Sequence, residues 1–379
     1  MTSTDHRVRT NWRRCRRCVM DSTVDDISFN DEGICGYCTE FLTRYHEEID
    51  RLQRNHKLDH LINEIKTKGE KRKYDCIVGL SGGVDSSWTL VRAVQLGLRP
   101  LAVHMDNGWN SELAQANIAN LVQSLGVDLF THVIDWEEYR QLMQAFLDSD
   151  VVDVELLYDN AMIAVNYRAA MENGVKYILA GTNSATEGMK MPASWNHLKH
   201  DGKNIRSIAR SSNVKSFTTF PLMTVWRLLA YKSLKRIKWI SFLDYGEYNK
   251  EAAISELQSN FLFKKYKYKH YESVFTRFYQ GYLLPRKFGI DKRINHLSTL
   301  ICTGQMDRKQ AEEILSEDPY PDEVQLNSDI TYFCKKMEWS GAMLEQYLSR
   351  PARSHFLYES DRNLWNTFKR TASLLNWVR

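Results

Sequence analysis

Two pairs of cysteines near the N-terminus have the spacing of a metal site. Cys15 and Cys18, then Cys35 and Cys38, follow the pattern C-x2-C-x16-C-x2-C. Two residues between thiols let one tight turn aim both sulfurs at one ion, and two such turns complete a tetrahedron. We therefore predict a four-cysteine zinc ribbon, with free or disulfide-linked thiols and an iron–sulfur cluster as the alternatives. Because four protein ligands leave no position for a substrate, this zinc is expected to serve folding rather than catalysis.

A glycine-rich string between a predicted strand and a predicted helix has the pattern of a phosphate site. The strand covers Tyr74 to Leu80, and the string is Ser81-Gly82-Gly83-Val84-Asp85-Ser86-Ser87. Such a junction gathers backbone N–H groups and the positive end of the helix dipole around one point. The lysine of a Walker-type loop is missing, which disfavours an ordinary kinase or GTPase. A turn of purely structural purpose is the alternative.

This string resembles the PP-loop of the ATP pyrophosphatases, a superfamily that includes GMP synthetase, NAD synthetase, asparagine synthetase and tRNA thiolases. Its members cleave ATP between the α and β phosphates while a substrate oxygen becomes adenylated. The resemblance implies Ser81, Asp85 and Ser86 as catalytic candidates. It also implies ATP and Mg²⁺ as cofactors and a set of residues around the pyrophosphate, namely Ser81, Gly82, Gly83, Asp85, Ser86 and Ser87.

Two later strand ends can complete such an ATP site. The predicted strand Arg99 to Met105 ends in Asp106-Asn107-Gly108, and the predicted strand Val175 to Ala180 ends in Gly181-Thr182-Asn183. By the same resemblance, the first strand end contacts adenine and ribose and the second closes over ATP. This implies ATP-binding roles for Asp106, Gly181, Thr182 and Asn183.

Alternating strands and helices with short connections position these loops. The pattern predicts an α/β fold with a doubly wound parallel sheet, in which all three loops emerge along one edge. We place the zinc ribbon and linker helices in residues 1–70, the PP-loop ATP-binding domain in 71–220, and a mainly helical, aromatic-rich substrate or partner region in 221–379.

The remainder of the chain narrows the resemblance. The cysteine pairs, the segment Asn196 to Ile205, and the segment Lys287-Phe288-Gly289-Ile290-Asp291-Lys292-Arg293 together resemble the N-acetyl sugar amidotransferases of bacterial surface polysaccharide synthesis. These enzymes turn an acetamido group of an N-acetylated nucleotide sugar into an acetamidino group. The resemblance implies a role in lipopolysaccharide O-antigen or related glycan synthesis, with release of AMP and pyrophosphate. Lys287, as a catalytic residue, and Arg293 are candidates for phosphate or sugar-nucleotide contacts, with solvated surface cations as the alternative.

The ammonia for this reaction must come from elsewhere. The residue after the initiator methionine is Thr2 rather than the cysteine of an N-terminal-nucleophile glutaminase. The remaining cysteines, Cys76, Cys302 and Cys334, lack the Gly-x-Cys-x-Gly setting of a triad glutaminase. We expect the chain to use ammonia without making it. The resemblance implies a separate glutaminase subunit and a barrel-type channel subunit.

Several basic side chains have two interpretations. His197, His200 and His296 are candidate general bases for the attack by ammonia, or ordinary core and surface histidines. The run from Lys264 to Tyr271 interleaves lysines with aromatic residues, as in sites that stack on single-stranded nucleic acid. Its alternative is a face of lysines whose stems cover apolar surface.

Overall charge and hydropathy identify no partner. Lys and Arg number 51 against 47 Asp and Glu, a net charge of +4, which is mild for a nucleic-acid-binding domain. The sequence shows neither a secretory signal nor 18 uninterrupted apolar residues, so we expect a cytoplasmic protein without a membrane span. A tRNA thiolase remains the rival enzyme, although sulfur transfer usually needs catalytic thiols beside the PP-loop and the cysteines outside the two pairs of this chain are scattered singles. A zinc-ribbon binding protein without catalysis is the second alternative.

Overall fold

The computed structural model describes residues 12–53, 57–214, 216–266, 272–320 and 322–374. At its centre lies a parallel sheet of five strands. The strands are β1 Cys76–Gly79, β2 Pro100–Asp106, β3 Leu129–Val133, β4 Tyr177–Ala180 and β5 Lys238–Ser241. The predicted doubly wound parallel sheet is confirmed.

The strand order creates a crevice next to β1. In space the strands run β3-β2-β1-β4-β5, with Ile77 of β1 paired to Leu101 on one side and Ile178 on the other. The chain therefore moves outward through β2 and β3, then returns to the opposite side of β1. Open α/β sheets bind ligands at the carboxyl ends of the strands where the order reverses. The PP-loop string follows β1 and lies at this point.

Helices account for most of the remaining chain. The described residues contain α1 Gly36–Gln53, α2 Lys57–Gly69, α3 Val84–Gln95, α4 Glu112–Leu125, α5 Trp136–Asp148, α6 Leu156–Glu172, α7 Ser184–Glu187, α8 Gly202–Ser211, α9 Val225–Leu229, α10 Lys250–Phe261, α11 Val274–Phe278, α12 Arg293–Cys302, α13 Arg308–Ser316, α14 Glu323–Met337, α15 Gly341–Ser349 and α16 Arg362–Leu374. Wider π-helical turns continue α9 over Ala230–Leu234 and α11 over Tyr279–Phe288. Within the described ranges, no helix is long and apolar enough to cross a membrane.

Both faces of the sheet are covered, which explains the apolar runs of its central strands. Ile77 and Ile178 point into a core that they share with α5 and α6. Val78 and Leu179, the next residues along each strand, point into a second core with α3 and α10. Successive strand residues face opposite sides, so each central strand must be apolar throughout.

The predicted helical C-terminal region is confirmed, but this region also contributes a strand to the sheet. Helix α13 begins after Asp307, which forms a capping box with Gln310, as the Asp predicts. Strand β5, at 238–241, is paired to β4 although it lies in the segment assigned to the helical region. The predicted domain boundaries remain predictions.

Candidate functional site

The PP-loop leaves the start of α3 open. Gly82 has a φ of +83°, and Gly83 is the extended residue before the helix. No side chain among the described residues caps this end of α3. The first N–H groups of a helix have no partner inside the helix, so they can bind an anion.

Serine hydroxyls fix the shape of the loop. Ser86 Oγ accepts from the Ser81 backbone N–H at 3.2 Å and lies 3.1 Å from Ser81 Oγ. Ser81 Oγ in turn accepts from the Gly83 N–H at 3.3 Å. Ser87 is buried beneath the loop, and its hydroxyl has no hydrogen-bond partner in the described part of the chain. The loop is thus closed by its own short side chains rather than by a lysine.

The loop after β4 lies directly against the PP-loop. A Cβ on Gly181 would be 2.7 Å from the Ser86 backbone nitrogen, so only glycine permits this approach. Asn183 caps the short helix α7 by accepting from the Thr186 N–H at 2.8 Å. The Thr182 side chain is exposed beside Ser241 of β5. Gly181, Thr182 and Asn183 therefore share one edge of the sheet with Ser86.

The loop after β2 borders the PP-loop on the other side. Asp106 accepts from the Gly108 N–H at 2.8 Å and from Asn110 Nδ2 at 3.2 Å, which shapes a tight turn. The His104 ring is anchored to the Leu80 carbonyl oxygen at 2.8 Å. Burial lowers the pKa of His104, which favours a neutral ring. The three predicted loops are thus neighbours.

Two tyrosines that sequence reasoning missed contact the PP-loop. The Tyr248 hydroxyl donates to the Asp85 carboxylate, and the Tyr266 hydroxyl donates to the Gly82 carbonyl oxygen at 2.8 Å. Burial, followed by the Asp85 charge, raises the pKa of Tyr248, so it remains a proton donor. Lys250 Nζ lies 4.0 Å from Asp85 Oδ2. The aromatic enrichment after residue 220 was the only sequence signal that pointed to these two tyrosines. Of the basic tract from Lys264 to Tyr271, residues 267–271 lie outside the described residues.

Lys287 is placed away from solvent, which corrects the expectation that it contacts a substrate. Its side chain is 0% exposed, and its ammonium lies 2.9 Å from Asp150 Oδ1. It also donates to the backbone carbonyls of Tyr347 at 2.6 Å and Arg350 at 2.9 Å. All three ammonium protons have partners, so Lys287 fixes α15 against the body. Arg293 is likewise engaged, by Asp291 and by carbonyls at the end of α13.

The candidate histidine bases are occupied by structural contacts. His197 Nε2 lies 2.9 Å from Asp201, and the His197 ring stacks on His355. His296 Nδ1 lies 3.0 Å from the Thr186 carbonyl oxygen. Burial, followed by the Lys232 charge, lowers the pKa of His200 to about 4. These contacts favour the core interpretation of the histidines.

The four N-terminal cysteines form one buried cluster. Their sulfurs all lie within 4.8 Å of one another, with Cys15 to Cys38 at 3.8 Å and Cys18 to Cys35 at 3.6 Å. A tetrahedron with metal–sulfur bonds of about 2.3 Å has edges of about 3.8 Å, so the spacing fits zinc held by thiolates. None of these cysteines is in a disulfide. They would hold a structural ion with no ligand position left open.

The cluster is connected through α12 and α13 to the nucleotide edge, by which we mean the edge of the sheet where the PP-loop lies beside Gly181, Thr182 and Asn183. Arg308 donates to the carbonyl oxygens of Cys15 at 2.5 Å and Cys18 at 3.0 Å. At the end of α12, Thr303 Oγ1 donates to the Ala185 carbonyl oxygen of α7 at 2.8 Å. The cysteine ribbon thus supports the helices that support the loop after β4.

Two family models match separate parts of the chain. Residues 55–190 match the NAD synthase family model. The chain has a PP-loop fold of the NAD synthase type. Residues 272–372 match a second model, described as "LPS biosynthesis protein WbpG-like, C-terminal domain". The two matches together support the PP-loop superfamily and a link to lipopolysaccharide biosynthesis.

Solved structures that are similar to this chain include two synthetases. NMN synthetase from Francisella tularensis is 14% identical, with 62% of this chain and 99% of that chain covered and a TM-score of 0.27. The NH3-dependent NAD synthetase from Campylobacter jejuni subsp. jejuni NCTC 11168, in complex with the nitrate ion, is 13% identical. The match covers 57% of this chain and 93% of that chain, with a TM-score of 0.27. No curated protein matches the chain significantly.

Proposed function

We propose that the chain is an ATP-dependent amidotransferase that replaces the acetamido oxygen of an N-acetylated nucleotide sugar by ammonia. One observation carries this proposal. The first residues of the WbpG-like segment pair with the loop after β2, through the Ser111 N–H to the Glu272 carbonyl oxygen at 2.9 Å and a bridge between Asn110 and Ser273. The segment linked to lipopolysaccharide synthesis therefore borders the nucleotide edge of the PP-loop domain.

The chemistry requires activation of a poor electrophile. Ammonia cannot displace an amide oxygen until that oxygen becomes a leaving group, and adenylation supplies one. In our proposal, the amide oxygen attacks the α-phosphorus of ATP, and pyrophosphate leaves toward the N-terminus of α3. The open N–H groups near Gly83 and the Ser81 and Ser86 hydroxyls would orient and stabilise the departing pyrophosphate. Magnesium, when bound with ATP near Asp85, would neutralise the charge that develops on the phosphates.

The second half of the reaction forms the amidine. Ammonia attacks the imidate carbon, and AMP leaves with the electron pair of the carbon–oxygen bond. Asp106, Gly181, Thr182 and Asn183 are proposed to hold the adenosine half and close over it. The four cysteines are proposed to bind zinc for folding alone.

The ammonia supply remains part of the proposal. We propose a separate glutaminase subunit and a barrel-type channel subunit as partners. The thiolase alternative is less well supported, because Cys76 is fully buried in β1 and its burial raises the pKa of the thiol. A buried neutral thiol is a poor sulfur carrier.

A product screen tests the proposed function. Pyrophosphate release from magnesium ATP and ammonium ion is measured over N-acetylated UDP-sugars, CMP-sugars and free sugars. We expect one class of nucleotide sugar to stimulate release and to yield a product one mass unit lighter. Ammonium should support the reaction and glutamine should not. A thionated product, or no stimulated release with any acceptor, would contradict the proposal.

A further inference from the structure

Glu272 lies beside the phosphate-binding helix and comes from outside the PP-loop segment. A Cβ placed on Gly83 would be 3.4 Å from Glu272 Oε1 and 3.7 Å from its Cδ. Glu272 is the first residue of the WbpG-like match, 189 positions after Gly83. The first residue of the second family match therefore lies beside the glycine-rich loop of the first.

The backbone holds Glu272 in this place. Its carbonyl oxygen accepts from the Ser111 N–H at 2.9 Å, and the Val274 N–H donates to the Trp109 carbonyl oxygen at 2.8 Å. These bonds make a short antiparallel pairing with the loop after β2. Burial is the main cause that raises the pKa values of Tyr158 and Tyr266, and the Glu272 charge contributes to both. The carboxylate thus lies among the PP-loop, the start of α6 and Tyr266.

A carboxylate in this position does not suit phosphate binding. Like charges repel, so Glu272 would weaken the binding of ATP phosphates unless a positive group stands between them. Besides the magnesium proposed near Asp85, the amidotransferase reaction supplies such a group, because the attacking ammonia becomes positively charged as the carbon–nitrogen bond forms. Of the three candidate histidines, His197 and His296 are bound to Asp201 and to the Thr186 carbonyl oxygen, and His200 packs against Trp365.

We propose that Glu272 is the general base for the attack by ammonia, an inference that rests on the proposed function. Ammonia adds to the carbon of the O-adenylyl imidate and gives a tetrahedral intermediate that carries an NH3⁺ group. Glu272 takes one proton from this nitrogen. The carbon–oxygen bond then breaks, AMP leaves with the electron pair, and the amidine remains. Glu272 returns its proton to solvent.

The Glu272→Gln variant tests this role through two half-reactions. Acceptor-dependent exchange of labelled pyrophosphate into ATP reports adenylation, and acetamidino product reports the ammonia step. Loss of a general base lowers the rate by about 10²–10⁴-fold. We expect product formation in Glu272→Gln to fall by about that factor while exchange stays within about twofold of wild type. Glu112→Gln, an exposed carboxylate next to Ser111, should change neither.

A change of nucleophile separates a catalytic from a structural role. Hydroxylamine is less basic than ammonia, so its adduct loses a proton more readily without a base. Product formation by Glu272→Gln should therefore fall less with hydroxylamine than with ammonia, whereas a folding defect would affect both equally.

The outcomes distinguish the two proposals. Equal loss of exchange and product, or a higher magnesium requirement for exchange, would overturn the inference by making Glu272 an ATP or metal ligand. Unchanged product formation would overturn it as well. In either case active wild-type protein leaves the proposed function standing. Wild-type protein that gives neither exchange nor product with any acceptor would overturn the proposed function, and this inference with it.

Discussion

Single residues at the nucleotide edge are constrained by close backbone approach. Gly181 is the sharpest case, because its α-carbon faces the backbone of Asp85 and Ser86 rather than flexible side chains. A side chain there cannot be accommodated by a rotamer change, so the loop itself must move. The requirement for glycine comes from packing, since the φ of Gly181 is not in the left-handed region.

Gly181→Ala is expected to displace the PP-loop. The new methyl carbon would be 2.7 Å from the Ser86 nitrogen and 2.8 Å from the Asp85 carbonyl carbon. A shift of about 1 Å in a catalytic loop costs about 10²-fold in rate, and we expect acceptor-dependent pyrophosphate exchange to fall by about that factor. Gly246→Ala is the matched control, because a Cβ there has open space around it. Equal activity of both variants would contradict the close approach.

Lys287→Met is expected to affect stability rather than catalysis. The substitution leaves Asp150 with Arg350 as its remaining cationic partner and leaves two backbone carbonyls without their donor. Breaking a buried pair costs about 3–5 kcal/mol, and urea unfolding should show a loss near the lower figure. The exposed Lys309→Met should change the free energy of unfolding by less than about 0.5 kcal/mol. A Lys287→Met protein that keeps its stability but loses activity would contradict this prediction and indicate a catalytic role for Lys287.

Among the elements, the segment from β5 to Tyr266 completes the nucleotide edge. It falls between the two family matches at 55–190 and 272–372. Strand β5 extends the sheet, α10 packs on α3, and the segment brings Tyr248 and Tyr266 to the PP-loop. The loop before α8 has a different role, because His197 and His200 are packed beneath the C-terminal residues His355 and Trp365.

The loop before α8 should make the protein sensitive to acid. Burial, followed by the Lys232 charge, lowers the pKa of His200 from 6.5 to about 4. Between these values the unfolded chain binds a proton that the folded chain does not, so stability falls as pH decreases. His200→Gln should reduce the slope of unfolding free energy against pH by up to about 1.4 kcal/mol per pH unit in this window. The exposed His60→Gln should keep the wild-type slope, and an unchanged slope in His200→Gln would contradict the assignment.

The cysteine ribbon near the N-terminus packs against helices α12 and α13 of the C-terminal region. The Val19 N–H, next to Cys18, donates to Ser298 Oγ of α12 at 3.2 Å. Arg308 of α13 donates to the carbonyl oxygens of Cys15 and Cys18. The end of α12 contacts α7 through Thr303, and Gln305, between α12 and α13, accepts from the Lys250 N–H at 3.3 Å near Tyr248. A structural metal would therefore stabilise more than its own ribbon.

Removal of the metal is expected to weaken ATP binding as well as folding. Metal that binds only the folded state contributes to its stability, so a chelator should lower Tm by about 5–10 °C. Because α12 packs against α7, which follows the loop after β4, the Kd for magnesium ATP should rise in the chelated protein. Elemental analysis should find one zinc per chain before chelation. Readdition of zinc is the control, and an unchanged Kd would contradict the connection.

The sequence by itself determined the features that depend on short stretches of chain. The cysteine spacing, the PP-loop string and the strand ends at Asp106 and Gly181 are local patterns, and the parallel fold follows from the alternation of elements. The structure confirms that fold and the clustering of the cysteines, and it brings the three predicted loops together. The roles of individual site residues remain predictions.

Only the tertiary structure decided which distant side chains face one another. Lys287 and Arg293 have the residue type of phosphate ligands, yet Asp150, 137 positions earlier, binds Lys287 inside the protein. Tyr248, Tyr266 and Glu272 reach the PP-loop from more than 160 positions away. Composition cannot distinguish a buried cation from a solvated one, because the difference is the presence of a partner. That partner is chosen by the packing of the sheet and its helices, and no local spacing encodes it.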